Sequence, residues 1–385
     1  MDGLGTQASP FLVATPQDLQ DVNNDLGDTG DITYYRQIAD LDMDGFSFTR
    51  IGPSTYIDYD GNGYIIENLS ATATGVVGMI SSTSEEGALR NIKLVNPTMV
   101  LDGNFDNIGS LAGIVRCFVS GCSVIGGSVT AEDTFYVGGL IGRLSLEGTV
   151  ENCYAITTVN ANDSSFVGGL IGNVANDSTC RKSWCATTLN TNEGSSNVNG
   201  ITRRGTGTDE DLFWNTDIYP TSDQGTGKTT AELQTLATFT DVENTTGLSE
   251  AYDMVRAADF DGSQTWVMPD TDESDYPELG AFIVVPEYAK VTVYSDQSQS
   301  TPAEGVTVEL HQYDSETGFT TSQATLIDVG VTDANGVYES EAVAFDPDKI
   351  HRWIVSDKNY VDNAWVRTKA DSGFTSENLD NSAPA

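Results

Sequence analysis

The chain has 385 residues, of which 57 are acidic and 18 basic, giving a formal net charge of −39 with 38% apolar residues. So dense an acidic surface repels nucleic acid and anionic membranes, which excludes both as partners. The length calls for two or three domains, and the apolar content argues against disorder. A chain charged this heavily folds best in concentrated salt, where the Debye length shrinks to about 3 Å at 1 M and self-repulsion is screened.

Along the chain, Met1–Thr6 has neither a basic stretch nor an apolar one, so no signal peptide is expected. No apolar run reaches the roughly 18 residues that a membrane span needs, so no membrane insertion is expected. Thr15-Pro16-Gln17-Asp18 offers a helix start, and Leu19, Val22 and Leu26 follow at helical spacing. Two turns then copy the first half of a calcium loop: Asp40-x-Asp42-x-Asp44-Gly45 and Asp58-x-Asp60-x-Asn62-Gly63. The bidentate Glu that should close such a loop is Ile51 in one and Leu69 in the other. Asp40, Asp42, Asp44, Asp58, Asp60 and Asn62 are therefore the residues that would hold structural calcium, and turns at the start of a β-structure are the plainer reading.

The middle of the chain repeats. Val137-Gly138-Gly139-Leu140-Ile141-Gly142 returns thirty residues later as Val167-Gly168-Gly169-Leu170-Ile171-Gly172. Between the copies, Val150–Ala155 aligns with Cys180–Cys185, and Thr157–Asn160 with Thr187–Asn190. Looser copies lie at Ile108–Gly113 and Val198–Ile201, and Val77–Ile80 reads as the first. Short β-type runs at this period predict a parallel β-helix, in which each coil buries its apolar face on its neighbours. The five cysteines, Cys117, Cys122, Cys153, Cys180 and Cys185, all fall inside the repeats. Their odd number and spacing favour free, packed thiols over disulfides or zinc.

Thr229-Thr230-Ala231-Glu232 has the form of a capping box. After Val284-Val285-Pro286 the period stops. Lys290–Tyr294, Gly305–Leu310 and Arg352–Val355 read as strands, with a hairpin turn at Asn335-Gly336. Residues from 371 onward are polar and read as a flexible or partner-ordered tail. The expected domains are an opening segment and cap over 1–70, a β-helix with its closing segment over 71–285, a β-sandwich over 286–370 and the tail over 371–385.

No catalytic residue can be nominated. Only His311 and His351 occur, both beyond the repeats, and among 57 acids a carboxylate pair arises by chance. Arg203-Arg204 and Arg116 are read as salt-bridge partners of the acidic surface before any substrate clamp. Lys228 in Gly225-Thr226-Gly227-Lys228-Thr229 lacks the first glycine of a phosphate loop. Tyr56, Tyr59, Tyr64, Tyr136 and Trp214 are candidate sugar platforms, although packing explains each one singly.

The Val-Gly-Gly-Leu-Ile-Gly copies resemble the GLUG-motif family of adhesin-like surface proteins. The likeness extends to Phe11–Leu19, Tyr35–Asp42, Phe48–Gly52 and Asp60–Leu69 upstream, and to Phe213–Asp217, Gly225–Gln234, Thr265–Met268 and Tyr276–Leu279 downstream. It spans roughly residues 10–282 and implies a right-handed parallel β-helix displayed outside cells, with no shared catalytic residues or cofactor. The C-terminal strands resemble transthyretin-like or carboxypeptidase-regulatory-like (Ig-like) β-sandwiches, so the expected class is all-β throughout. The lysine-poor, acidic composition resembles that of haloarchaea and their viruses. With no signal peptide in view, the expected role is a structural surface protein of a haloarchaeal tailed virus: a capsid turret, spike or tail fibre. Its partners would be a trimer or pentamer of itself, other virion proteins, and the host S-layer or glycans. The alternatives are a secreted haloarchaeal adhesin and, third, a β-helical polysaccharide depolymerase.

Overall fold

The computed structural model describes residues 1–283 except 105, 176, 205, 206 and 274. Beyond them it describes only the strands Lys290–Val293, Thr307–Tyr313, Thr325–Val331, Val337–Glu339, Ile350–Val355 and Glu377–Leu379. Two compact units result, Met1–Val284 and Val285–Ala385.

The repeat period is one coil of a parallel β-helix. One coil runs through strands Tyr136–Gly138, Ile141–Leu144, Thr149–Glu151 and Tyr154–Asn162. The next runs through Phe166–Gly168, Ile171–Val174, Thr179–Cys185 and Thr188–Thr191. They pair in parallel, Val137 on Val167, Ile141 on Ile171, Val150 on Cys180, Ala155 on Cys185 and Val159 on Leu189. Alternate residues point inward, so the inward ones stack in columns. One column is Tyr59, Leu89, Val119, Val150 and Cys180, and another is Leu41, Ile66, Leu94, Val124, Ala155 and Cys185. All are buried in one continuous core. A fully buried Val, Leu or Ile contributes about 1.5–3 kcal/mol relative to exposure, so each coil is stabilised chiefly by its neighbours.

The motif glycines set how tightly a coil closes. A Cβ on Gly168 would lie 2.0 Å from the Ile171 carbonyl oxygen and 2.9 Å from that of Ile201. One on Gly142 would lie 2.6 Å from the Gly113 oxygen and 2.7 Å from the Ile108 nitrogen. The Val-Gly-Gly strand thus rests backbone to backbone against the Ile-Gly strands. Another corner recurs in left-handed backbone at Asn91, Gly121, Asn152, Lys182 and Asp211, a conformation that Gly and Asn adopt at least cost.

The five thiols are free and buried. Burial pushes Cys117 up to about 11 and raises Cys122, Cys180 and Cys185 as well. Native protein at mildly alkaline pH should therefore resist a thiol-specific chromophoric disulfide and titrate all five cysteines only after unfolding; rapid native labelling would contradict the buried ladder. Because the folded-state values lie above that of an unfolded thiol, their stabilising contribution is complete below the unfolded pKa. It is lost as pH rises from there through the folded values.

At the opening end, helix Pro16–Asp21 begins as expected, with the Thr15 hydroxyl accepting from the Asp18 amide at 3.1 Å. It buries Leu19, and Val22 is buried just beyond it. The expected continuation to Leu26 does not form, and the chain passes into a single 3-10 turn, Val22–Asn24. Asn23 explains the stop: its Oδ1 accepts from the Gly52 amide at 3.1 Å, tying this segment to a neighbouring loop instead of to a further helical turn.

The closing segment does not simply end the stack. It turns back along the outside as a strap, through helices Thr230–Leu233 and Leu236–Thr240 and strands Met254–Arg256, Trp266–Met268 and Glu278–Leu279. Its targets are outward residues of successive coils, Tyr154, Trp184 and Phe213, which with Phe239, Tyr252 and Trp266 build a second core. Tyr154 and Trp184 stack at 4.9 Å and 2°. Tyr252 donates to the Asp211 carbonyl at 2.6 Å, Trp266 Nε1 to Asn152 Oδ1 at 3.2 Å, and Lys93 pairs with Glu278 at 3.1 Å. The strap's first helix carries the expected capping box, with Thr229 Oγ1 accepting from the Glu232 amide and the Glu232 carboxylate from the Thr229 amide. The Thr229 backbone donor holds the Glu232 carboxyl below its usual range. Thr229→Ala should cost about 1 kcal/mol in denaturant melts. Glu232's own contribution should be present above the unfolded carboxyl pKa and lost as pH falls through the lower folded value.

In the second unit, Thr307–Tyr313 pairs antiparallel with Thr325–Val331 and with Ile350–Val355. Lys290–Val293 pairs antiparallel with Val337–Glu339 and parallel with Glu377–Leu379, a strand within the expected tail. The expected Asn335-Gly336 turn lies outside the described residues.

Candidate contact surface

The structure spreads the acidic loops along the edge of the opening coils, each residue engaged with the protein. Asp40 accepts from the Ile65 amide at 2.8 Å. Asp42 accepts from the Asp44 amide at 3.0 Å and from Asn68 Nδ2 at 2.9 Å, donors that hold its carboxyl below the usual range, Asn68 first. Asp58 pairs with Arg90. Asp60 accepts from the Asn62 amide at 2.9 Å and from Asn91 Nδ2 at 3.0 Å, while Asn62 Nδ2 donates to the Gln37 carbonyl at 3.2 Å. Among the described residues, no three His, Cys, Asp or Glu side chains converge as metal ligands would. His311 and His351 fall on adjacent paired strands of the second unit, where Gln312 is the partner of His351.

For two of the five aromatics the packing reading holds and the platform reading falls. Tyr59 is fully buried and Trp214 nearly so. Strand Ile57–Asp60 alternates, and Tyr59 takes the inward phase beneath Leu89. Trp214 continues the Cys185 column inward, with Nε1 donating to the Tyr219 carbonyl at 3.2 Å. Tyr56 and Tyr64 are half-buried. Lys228 is buried, 5.3 Å from the Phe213 ring. The salt bridges expected of Arg116 and Arg203 are absent among the described residues. Arg116 instead donates to the Thr83 carbonyl at 2.8 Å, and Arg203 lies on a ring. The Arg204 side chain is outside the described residues.

Tyr136, the fifth platform, belongs to an aromatic and cationic patch. It is in register with Phe166 of the next coil, the rings 5.2 Å apart at 17°, and Phe135, 42% exposed, adjoins it at 6.2 Å. The Arg143 guanidinium lies 5.2 Å from the Tyr136 ring and that of Arg203 lies 4.6 Å from the Phe166 ring. Each such contact is worth about 0.5–1 kcal/mol when exposed and leaves the outer edge of the guanidinium free to donate. Arg143 Nε is buried without a hydrogen-bond partner. Phe135, Phe166 and Arg143 were not among the sequence candidates. The signal was present in part, because Tyr136 and Phe166 both stand directly before Val-Gly-Gly.

A second exposed surface runs beside a different set of strands. Outward positions stack as Ser70, Thr98, Ser128, Thr158 and Thr188, and next to them as Thr72, Val100, Thr130, Asn160 and Asn190. Asn190 Nδ2 donates to Asn160 Oδ1 at 2.9 Å, linking one coil to the next. No charged side chain stands in either column. On a chain of net charge −39, a flat face carrying hydroxyls and amides across five coils is set apart from the rest of the surface.

These features define a parallel β-helix closed by glycine-rich turns. Residues 133–160 match the GLUG motif. Among known proteins the chain is 32% identical over 155 residues, 37% of its length, to halomucin of Haloquadratum walsbyi (strain DSM 16790 / HBSQ001). The match spans only 2% of halomucin's length. Among solved structures, one described provisionally as an immunoglobulin A1 protease from Bacteroides ovatus aligns with 60% of this chain and 88% of its own, at 21% identity and a TM-score of 0.43.

Proposed function

We propose that the chain is an adhesin-like, non-catalytic contact module displayed on an outer surface in a haloarchaeal, high-salt setting. The uncharged Ser/Thr/Asn face carries this reading. An acidic surface keeps its carboxylates hydrated even where salt screens their repulsion, and a face free of charge can be brought flat against another surface without desolvating ionised groups. Similarity to a stretch of halomucin supports the haloarchaeal setting. No described helix is long and apolar enough to cross a membrane.

In its narrower form, the proposal places the module on a haloarchaeal tailed-virus particle as a turret, spike or fibre, assembled as a trimer or pentamer with other virion proteins and meeting the host S-layer or glycans. Antibody labelling of an infected haloarchaeal culture, read by electron microscopy, tests both levels. Label on particles supports the narrower form, and label on cell envelopes alone supports an adhesin of the cell. Label confined to the cell interior contradicts the proposal at either level.

A further inference from the structure

We propose that the rings of Phe135, Tyr136 and Phe166, with the guanidinium groups of Arg143 and Arg203, bind an anionic polysaccharide bearing carboxylate or sulfate groups on alternate sugars. The inference rests on the contact-module reading above and names the ligand class for one of its surfaces.

The chain's few cations are engaged in different ways. Arg90, Lys93, Arg181, Lys182 and Arg256 each pair with a carboxylate. Arg50 and Arg116 donate to backbone carbonyls at 3.0 and 2.8 Å. Among the described residues, Arg36, Arg143 and Arg203 do neither, and of these Arg143 and Arg203 each lie over an aromatic ring. With 57 acids available, a guanidinium left without a carboxylate is open to an external one. Nearby acids do not fill this role. Asp106, Asp133 and Asp163 occupy turns that precede the rings in each coil, whereas the arginines follow them, and the Asp106 carboxylate accepts from the Asn107 amide and side chain at 3.0 and 3.1 Å.

The spacing of the two arginines matches such a ligand. Arg143 is in register with Asn173, and the next coil pairs Val174 with Arg204, which puts Arg203 two coils from Arg143. At about 4.8 Å between adjacent strands, the two cations stand roughly 10 Å apart along the axis. A pyranose advances a polysaccharide by about one such strand spacing. A chain lying along the axis would place one sugar on each coil, bring its apolar faces against Phe135 and the outer edges of the Tyr136 and Phe166 rings, and set anions from alternate sugars against the arginines. In concentrated salt long-range attraction is screened, so recognition depends on this close bidentate and stacking contact.

The test is calorimetric titration of the full-length protein in molar NaCl with three probes: an oligouronate, a sulfated dextran oligomer and a neutral dextran oligomer of equal length. Binding of either anionic probe at least tenfold tighter than the neutral one is expected, and which of them binds identifies the anion. Arg143→Gln and Arg203→Gln should each weaken that binding about tenfold. Arg181→Gln, which removes a cation paired with Glu151 elsewhere, should leave it unchanged, and circular dichroism checks that each variant keeps its fold. Equal binding of the neutral probe, or R143Q and R203Q behaving as R181Q does, overturns the inference. Self-association that R143Q abolishes, without saccharide binding, assigns the patch to a second copy and also overturns it. If no probe binds but the protein still coats haloarchaeal envelopes, this inference falls and the contact-module reading stands; if coating fails as well, both fall.

Discussion

Gly168→Ala is expected to destabilise the β-helix by more than about 3 kcal/mol, at the severe end of single substitutions. The added methyl would lie 2.0 Å from the Ile171 carbonyl oxygen and 2.7 Å from its carbon, both backbone atoms of a strand already paired on either side. A flexible side chain could swing aside, but a paired strand cannot move without breaking its ladder. Gly45→Ala is the matched control. Its φ of +69° makes alanine cost about 1–2 kcal/mol, and nothing lies within 4 Å of the new methyl. Denaturant melts in molar salt should rank the two clearly. Equal losses would mean that conformational freedom, not close backbone approach, explains the motif glycine.

Trp266→Ala should release the strap. Trp266 is fully buried, tilted against Tyr154 at 5.9 Å and Tyr252 at 5.8 Å, and its Nε1 holds Asn152 of the β-helix. Truncating a tryptophan in such a core costs about 3–5 kcal/mol. The loss falls on a segment attached mainly through that second core, so the strap should open before the coils do. Limited proteolysis with mass analysis should show cleavage within residues 230–283 while the coils stay protected. Uniform protection, or simultaneous digestion of the coils, would contradict the separation of the two cores. Release would also uncover the Tyr154–Trp184 stack as an apolar patch, so increased aggregation is expected alongside.

The β-helix was legible because its information is periodic. Inward Val, Leu and Ile recur at the same places in each copy, and the glycines mark where one strand lies against another. The strap was not legible as a strap, because Asn152 and Trp266 are 114 residues apart and the contacts of Tyr252 and Phe239 follow no period. For Tyr59 the packing reading holds, for a simple reason. Strict alternation gives its flanking Asp58 and Asp60 the outward phase and the tyrosine the inward one. The patch was half-visible. Tyr136 and Phe166 share a repeat position, whereas Arg143 aligns with Asn173 and Arg203 follows the loosened copy Val198–Ile201. Cations contributed from unequal coils leave no repeat signal, and only the fold places them on neighbouring rings.

The central claim, a module that makes contact without catalysis, is tested most directly by incubating the full-length protein with purified haloarchaeal envelopes in molar salt and measuring two quantities together. The account predicts that the protein sediments with the envelopes while the supernatant gains no oligosaccharide. Protein left in the supernatant, or oligosaccharide released over time, would contradict it.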